Sequence, residues 1–388
     1  MRYVCVINIF LIFILITGCS ETIKDTKGPL VFFPEPPDPP RIQFLTSFTG
    51  ARDIEPPKSA FERFITGEKD DVRRLDKPYG VAIHDGRIYV CDTNAGVIVF
   101  DLKNRRYEFL KGAIGQGKLI QPVNISIDEK GNKYVTDPLR KQVVVFDRND
   151  LYVRSYGIIE DWKPVDAVPF GDELYVADIK NGEIKVLDIL TGEINRTFGR
   201  KGDPTEWLDR PTNLVFDKEG ILYVSDAGRF QIVKFDRDGH FKGTIGRLGV
   251  NLGHFARPRG VAVDREGRVF VVDAAFFNVQ VFNRDGFLLM FFGGGGTAPG
   301  KLVLPAEVVV DYDNIDYFRQ YAAPDFEVEY VVIVTSQFGD RMINVYGFGK
   351  QKGLKYLTDQ ELLEQVKKKQ QEFFEKQKTP DSKGDNQE

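Results

Sequence analysis

The sequence of 388 residues contains few of the side chains that cross-link small folds or bind soft metals: three cysteines, three histidines and three methionines. Cys5 and Cys19 fall within the first twenty residues, so Cys91 has no second cysteine in the rest of the chain. This distribution excludes a disulfide framework and a cysteine-rich zinc site.

The chain also lacks a large excess of charge. It has 53 Lys and Arg against 57 Asp and Glu, a formal net charge of −4, and no long basic block. Nucleic-acid-binding proteins usually concentrate basic charge, so the sequence predicts no nucleic-acid partner. With 42% hydrophobic and 28% charged residues, the composition is typical of a globular protein.

An apolar run at residues 4–16 follows Arg2 and fits the central region of a secretory signal, since it is short for a membrane-spanning helix. The Ile16-Thr17-Gly18-Cys19 segment resembles the bacterial lipobox. That resemblance implies a signal peptide at 1–18 and lipidation of Cys19, including palmitate, with a plain signal peptide or uncleaved anchor as the alternative. By analogy with lipoprotein sorting in diderm bacteria, Ser20 in place of Asp favours the outer membrane of the cell envelope. Multiple acyl chains would anchor the protein there.

Residues 19–40 are predicted to form the lipidated cysteine and a proline-rich tether. Prolines at 34, 36, 37, 39 and 40 favour an extended polyproline II conformation. Such a segment would act as a semi-rigid spacer between the membrane and a folded body.

One pattern recurs six times in the rest of the chain. Each copy has a proline, a short apolar strand, a turn, a Tyr-Val-x-Asp segment or a variant of it, and a further apolar strand. The repeat prolines are Pro78, Pro122, Pro164, Pro211, Pro258 and Pro305. A period in the forties with four short strands is typical of a propeller blade. The sixth copy lacks a fourth strand, and residues 41–50 resemble one, so the start of the chain is predicted to complete the last blade.

The repeat, Pro-x-Gly-Val-Ala-Val-Asp followed by Tyr-Val-x-Asp and Val-x-Val-Phe, resembles the NHL repeat. The resemblance covers residues 41–350 and implies an all-β, six-bladed β-propeller. Copy three departs from the consensus at residues 165–169, and copy six carries an insert at 313–329. Residues 351–388 are predicted to form a C-terminal helix and a polar tail, because Thr358 to Glu361 has the pattern of a capping box.

Aspartates recur at the end of the second strand of the copies and at the end of the first. The first group is Asp92, Asp137, Asp178, Asp226 and Asp273, and the second is Asp128, Asp217, Asp264 and Asp311. An asymmetric catalytic site does not need the same residue in every blade. We therefore interpret both groups as structural, with carboxylates that accept hydrogen bonds from loop N–H groups.

The resemblance leaves enzymatic activity open, because some NHL-like propellers are lyases with a histidine-bound metal in the central channel. Zinc catalysis needs about three converging protein ligands. Propeller connectivity places His84 and His240 on one face and His254 on the other. The loops that often carry Asn-His in the family hold other residues, so the sequence predicts no catalytic residue, no metal and no cofactor. A calcium-dependent lactonase type stays open, because carboxylates are plentiful.

The same loops predict a binding surface. They join the second and third strands and share a face with the blade-to-blade connections. They contribute Arg140, Lys141, Arg229, Phe230, Phe276 and Phe277. Aromatic and arginine side chains are enriched at protein interfaces. The alternative is that the phenylalanines wedge between blades and the cations are merely solvated.

From these features the sequence favours a non-catalytic, lipid-anchored scaffold that binds a protein partner in an envelope or surface assembly. Two alternatives stand beside it. One is a metal-dependent propeller enzyme, lactonase-like or lyase-like, with its site in the central channel. The other is a propeller that binds a glycan or another ligand.

The Cys19→Ala variant should lose both lipidation and membrane association, because the acyl chains are predicted to be attached at that sulfur. Labelled palmitate incorporation and membrane fractionation in a lipoprotein-processing bacterium measure this. Cys91→Ser is the matched control and should remain labelled. Labelling of Cys19→Ala equal to wild type would refute the anchor.

Overall fold

The computed structural model of the protein describes residues 30–57, 65, 73–157, 162–202, 207–358, 360–362, 364 and 368. The predicted signal peptide at 1–18 and Cys19 lie outside these residues. In the part of the chain that is described, no helix combines the length and the apolar character needed to cross a bilayer.

The described strands form six antiparallel sheets, numbered here as blades. Blade one contains β3 (Pro78–His84), β4 (Arg87–Asp92), β5 (Gly96–Asp101) and β6 (Arg106–Phe109). Blade two contains β7 (Asn124–Ile127), β8 (Lys133–Asp137), β9 (Gln142–Phe146) and β10 (Tyr152–Gly157). Blade three contains β11 (Pro164–Phe170), β12 (Glu173–Asp178), β13 (Glu183–Asp188) and β14 (Ile194–Phe198).

Blade four contains β15 (Pro211–Phe216), β16 (Leu222–Asp226), β17 (Gln231–Phe235) and β18 (Phe241–Ile245). Blade five contains β19 (Pro258–Val263), β20 (Val269–Asp273), β21 (Asn278–Phe282) and β22 (Leu288–Gly293). Blade six contains β23 (Pro305–Asp311), β24 (Phe326–Ser336) and β25 (Ile343–Gln351), together with β1 (Phe32–Phe33) and β2 (Ile42–Phe48) from the start of the described chain.

The first strands of the blades line a closed ring. Each contacts the next in the order β3, β7, β11, β15, β19 and β23, and β23 contacts β3 again. Six hydrophobic clusters lie between adjacent blades, because both faces of each sheet carry apolar side chains. The structure therefore confirms the all-β, six-bladed propeller predicted from the repeat.

Pairing of β2 with β25 closes the ring. Ile42 lies opposite Phe348, and Phe48 lies opposite Ile343. The Phe48 ring also packs against Phe100 of blade one, with centroids 5.9 Å apart. The predicted completion of the last blade by the upstream strand is confirmed.

The proline-rich segment differs from the predicted spacer in its described part. Strand β1 pairs with β2, with Phe32 opposite Gln43, and the Phe33 side chain is buried. Further along, the carbonyl oxygen of Pro40 accepts a hydrogen bond from the Tyr356 hydroxyl at 2.9 Å. Burial of the apolar rings attaches this segment to blade six, and the prolines form the turn that leads into β2.

The insert of copy six also belongs to the folded body. It forms helix α1 (Ile315–Phe318) and a 3₁₀ turn at Arg319–Tyr321, and the Phe318 side chain is fully buried. At the C-terminal end, Glu361 N donates to Thr358 Oγ1 at 3.2 Å, and Thr358 N donates to Glu361 Oε2 at 2.8 Å. This reciprocal pair is the predicted capping box at the start of the C-terminal helix.

Phe48→Ala should lower the free energy of unfolding by about 3–5 kcal/mol, because it leaves a cavity where the ring closes. Urea denaturation followed by far-UV circular dichroism measures the change. Phe291→Ala, at a side chain that is 46% exposed in β22, is the matched control and should change stability by less than about 1 kcal/mol. Equal effects of the two variants would contradict the role given to Phe48.

Candidate functional site

The recurring aspartates are structural, as the sequence predicts. Asp226 accepts hydrogen bonds from the backbone N–H groups of Asp209 and Arg210 before its blade, and from Gly228 in the following loop. Corresponding bonds are formed by the other aspartates that end second strands: Asp92, Asp137, Asp178 and Asp273. The aspartates after first strands accept turn N–H groups, namely Asp128, Asp217, Asp264 and Asp311.

Two arginines of the predicted partner surface bind backbone oxygens of their own fold. The Arg140 guanidinium donates to the carbonyl oxygens of Lys118 and Gln116, the latter at 3.2 Å. The Arg229 guanidinium donates to the carbonyl oxygen of Trp207 and lies 4.7 Å from the centroid of that ring. These side chains therefore brace the blade-to-blade connections.

The other members of that predicted surface lie in the same loops. Lys141, Phe230 and Phe277 adopt positive φ angles of 55°, 58° and 55°, at matching loop positions in blades two, four and five. Phe230, Phe276 and Phe277 are half-buried, and Phe230 packs against the cluster between blades four and five. Protein binding through this surface stays a prediction.

The histidines lie in separate surroundings. His84 ends β3, and His254 Nε2 accepts a hydrogen bond from Arg247 Nε at 2.9 Å. His240 Nδ1 lies 3.1 Å from the Asp236 carboxylate in the turn before β18. Among the described residues, the one cluster of three metal-ligating side chains is Asp236, Asp238 and His240 on that solvent-facing turn.

A second set of polar residues lies in the central channel, two positions after each repeat proline. In five blades the register between the first and second strands shifts just after the proline, and such a bulge redirects side chains. The six positions, which we call the channel ring, are Gly80, Asn124, Asp166, Asn213, Gly260 and Glu307. The four side chains in this ring are at most 5% exposed.

Glu307 is at the centre of the hydrogen bonding in the channel ring. Its Oε2 atom accepts from the Nδ2 atoms of Asn124 at 3.0 Å and Asn213 at 2.5 Å. Its Oε1 atom accepts from Val308 N at 3.0 Å. Burial, and to a smaller extent the charge of Asp166, nevertheless raise the pKa of Glu307 well above its usual value.

Asp166 is the second buried carboxyl group. Its oxygens accept hydrogen bonds from Ala167 N at 2.8 Å and from Leu214 N of the next blade at 2.7 Å. Burial outweighs these two donors and raises the pKa of Asp166 to about 7. Burial therefore disfavours the ionised form of both carboxyl groups in the ring.

Two buried side chains on the first two strands of blade four have polar atoms without a partner. Among the described residues, neither Asn213 Oδ1 nor Ser225 Oγ has a hydrogen-bond partner, although both are buried. Asn213 and Ser225 are paired residues on β15 and β16. A buried polar atom without a partner is costly, so such atoms often mark a position that a ligand, an ion or water completes.

The two glycines of the ring provide space for their neighbours. A Cβ atom on Gly80 would lie 2.2 Å from Asn124 Oδ1, and one on Gly260 would lie 2.5 Å from Glu307 Oε1. Any larger side chain at these positions would displace the polar groups. The six positions of the ring therefore differ in side-chain size as well as in polarity, and the glycines make room for the polar side chains.

Two cavities lie along the channel. One, of about 240 Å³, is lined by the first strands and includes Asn124, Asp166 and Glu307. The other, of about 390 Å³, lies toward the face that carries the blade-to-blade connections and includes Tyr79 and Arg259. The larger cavity falls within the range of roughly 300–1,000 Å³ that is typical of small-molecule sites, and the smaller one lies below it.

The local sequence patterns do not identify the channel ring as a site. The sequence does contain a signal for it, because four copies have Asn, Asp, Asn and Glu at the repeat position where the other two have glycine. Asp166 lies in residues 165–169, where copy three departs from the consensus, but that departure does not indicate its partners. Recognising the ring requires that the same position of different blades meet around one axis.

No protein-family profile matches the chain. Its fold is similar to that of a structural genomics protein of unknown function from Bacteroides thetaiotaomicron, with 13% identity, a TM-score of 0.54, and coverage of 78% of this chain and 75% of that one. It is also similar to an auxiliary nutrient binding protein from the same organism, with 12% identity, a TM-score of 0.54, and coverage of 72% and 71%.

A virginiamycin B lyase from Staphylococcus aureus aligns with 11% identity and a TM-score of 0.47, over 70% of this chain and 84% of that one. The two Bacteroides structures, at 13% and 12% identity, show the propeller fold alone.

Stability should fall as pH rises from 6 to 8, because the raised pKa of Asp166 favours the protonated carboxyl in the folded state. Below a pH of about 4 both states bind this proton. Between there and pH 7 the folded state retains it while the unfolded state loses it. With a folded pKa of about 7, the loss between pH 6 and pH 8 is about 1 kcal/mol.

Urea unfolding of the purified, chelator-treated protein at both pH values measures this dependence. Asp166→Asn should remove most of it. An equal pH dependence in the variant would show that other groups cause it.

Proposed function

We propose that this propeller acts through its central channel, where the channel ring holds a divalent cation of the calcium type that in turn binds a small ligand. The observation that carries the proposal is the combination of two buried carboxyl groups with an unpaired buried amide oxygen. A cation would offset the cost of ionising Glu307 and Asp166. Once the Asn213 amide is turned by 180°, the cation would also give its Oδ1 atom a partner.

The donor chemistry of the ring supports a hard cation. Two carboxylates and two carboxamides offer oxygen ligands, which calcium and magnesium prefer, and the ring contains no imidazole or thiolate for a softer metal. The Nδ2 atoms of Asn124 and Asn213 face Glu307 in the structure. Turning either amide by 180° exchanges its nitrogen and oxygen within nearly the same space, and an oxygen would then face the same point.

A bound cation would supply Lewis-acid polarisation of a ligand oxygen. The residues of the chain would hold the charge in a water-poor channel and orient the ligand between the six inner strands. Lactone hydrolysis suits this donor set better than a lyase reaction that depends on a histidine-bound metal.

The hydrogen bonds of the loop arginines give a protein-binding scaffold less support than the contacts of the channel ring give a channel function. The guanidinium groups of Arg140 and Arg229 are engaged with backbone carbonyl oxygens, so a partner would have to compete with the fold for them. NHL-repeat membership and the lipid anchor at Cys19 in the bacterial envelope remain part of the proposal, and the sequence alone supports them.

Calcium should bind the purified, chelator-treated protein with a stoichiometry of one per chain, measured by isothermal titration calorimetry at pH 7.5. Glu307→Gln should weaken binding by about 100-fold or more, because it removes a buried charge from the ring. Calcium should also raise the unfolding temperature of wild type through preferential binding to the folded state.

Asp238→Asn is the control variant, because it removes a carboxylate from the exposed cluster before β18. It should bind calcium as wild type does. Binding that is lost in Asp238→Asn and kept in Glu307→Gln would assign calcium to the surface, and the absence of binding by wild type would reject the proposed function.

A further inference from the structure

Arg259 is a buried cation without an acidic partner among the described residues. Its side chain is 8% exposed. Its Nη1 atom donates to Gln337 Oε1 at 3.0 Å and to the carbonyl oxygen of Pro305 at 3.4 Å, and the guanidinium lies 5.4 Å from the centroid of the Tyr79 ring. All three of these partners are neutral.

Such an arrangement is unusual, because buried arginines are normally paired with a carboxylate or another anion. Burial, and to a smaller extent the nearby charge of Arg257, lower the pKa of Arg259. The guanidinium stays protonated at physiological pH even so. Among the described residues, no negative charge is therefore paired with the positive charge of this guanidinium.

The cavity of about 390 Å³ adjoins this guanidinium. Its basic lining residues are Arg259, Arg257 and Lys77, and no aspartate or glutamate is among its described lining residues. Apolar side chains such as Val165 and Ile179 line other parts of the wall. The cavity thus combines one buried cation, two more accessible cations and an apolar surface.

The position in the repeat explains how this site arises. Arg259 directly follows the repeat proline of blade five, one residue before the channel ring. The equivalent residues include Tyr79, Val123, Val165 and Thr212, which line the same cavity. The fold therefore places a second ring of side chains next to the channel ring, and the one charged member of the second ring is basic.

We infer that this cavity binds the oxyanion of a small organic acid, with the Arg259 guanidinium as its principal partner and the apolar wall against the rest of the molecule. A carboxylate or a phosphate monoester matches this chemistry, since a guanidinium can donate two parallel hydrogen bonds to either. The inference rests on the proposed function only in assigning the ligand to the central channel, and the anion contact itself needs no cation.

The test is thermal unfolding of the purified protein in EDTA at constant ionic strength, with benzoate, phenyl phosphate or neutral benzamide added. Benzoate or phenyl phosphate should raise the unfolding temperature of wild type by a few degrees at millimolar concentrations, and benzamide should not. The anion that stabilises the protein distinguishes the carboxylate from the phosphate form of the ligand.

Arg259→Met keeps the apolar length of the side chain and removes the charge. It should raise the unfolding temperature of the ligand-free protein and weaken the anion response about tenfold or more, as expected when a binding residue is held at a cost to stability. Arg265→Met is the matched control. Arg265 lies in the first turn of the same blade and is exposed, and its guanidinium is 3.9 Å from the centroid of the Tyr312 ring. Its substitution should leave the anion response unchanged.

An equal response to benzamide, or an anion response retained in Arg259→Met, would overturn the inference. So would the absence of a response to either anion in wild type. If the Arg259→Met variant then also unfolds at a lower temperature than wild type, Arg259 has a structural role. Since EDTA removes divalent cations, an anion response in a protein that fails to bind calcium would reject the proposed cation site and retain this one.

Discussion

Antiparallel pairing of β2 with β25 is the interaction on which the rest of the structure depends. It joins segments from opposite ends of the folded region, and it lets β23 of blade six contact β3 of blade one. Without this closure, the first strands would not surround a common axis. An open sheet edge would also be exposed to pairing with other chains.

The closed ring converts a linear repeat into a chemical site. Equivalent positions of the six copies meet around the channel, so substitutions at one repeat position become neighbours in space. Asn124, Asp166, Asn213 and Glu307 share such a position, while Gly80 and Gly260 leave room for the adjacent side chains. The acidic channel ring lies next to a mouth with basic residues. A ligand with an anionic end and an oxygen that binds a cation would match both.

Residues that recur in most blades and residues that differ between blades have different roles here. The repeated aspartates hold loop N–H groups, and Arg140 and Arg229 brace the connections between blades. The candidate site instead consists of departures from the repeat. In this protein, the residues that the repeat keeps therefore stabilise the fold, and the residues that depart from the repeat form the candidate site.

The sequence by itself determined the number of blades, their strand order and the closing strand, because these follow from local patterns with a constant period. It also determined the structural role of the aspartates, whose bonds are to nearby loops. The tertiary structure decided that Val31 to Pro40 packs on blade six, that the Arg140 side chain is engaged, and that Glu307 meets Asn124 and Asn213. These contacts join residues up to hundreds of positions apart, and a local pattern does not specify which buried groups will share a channel.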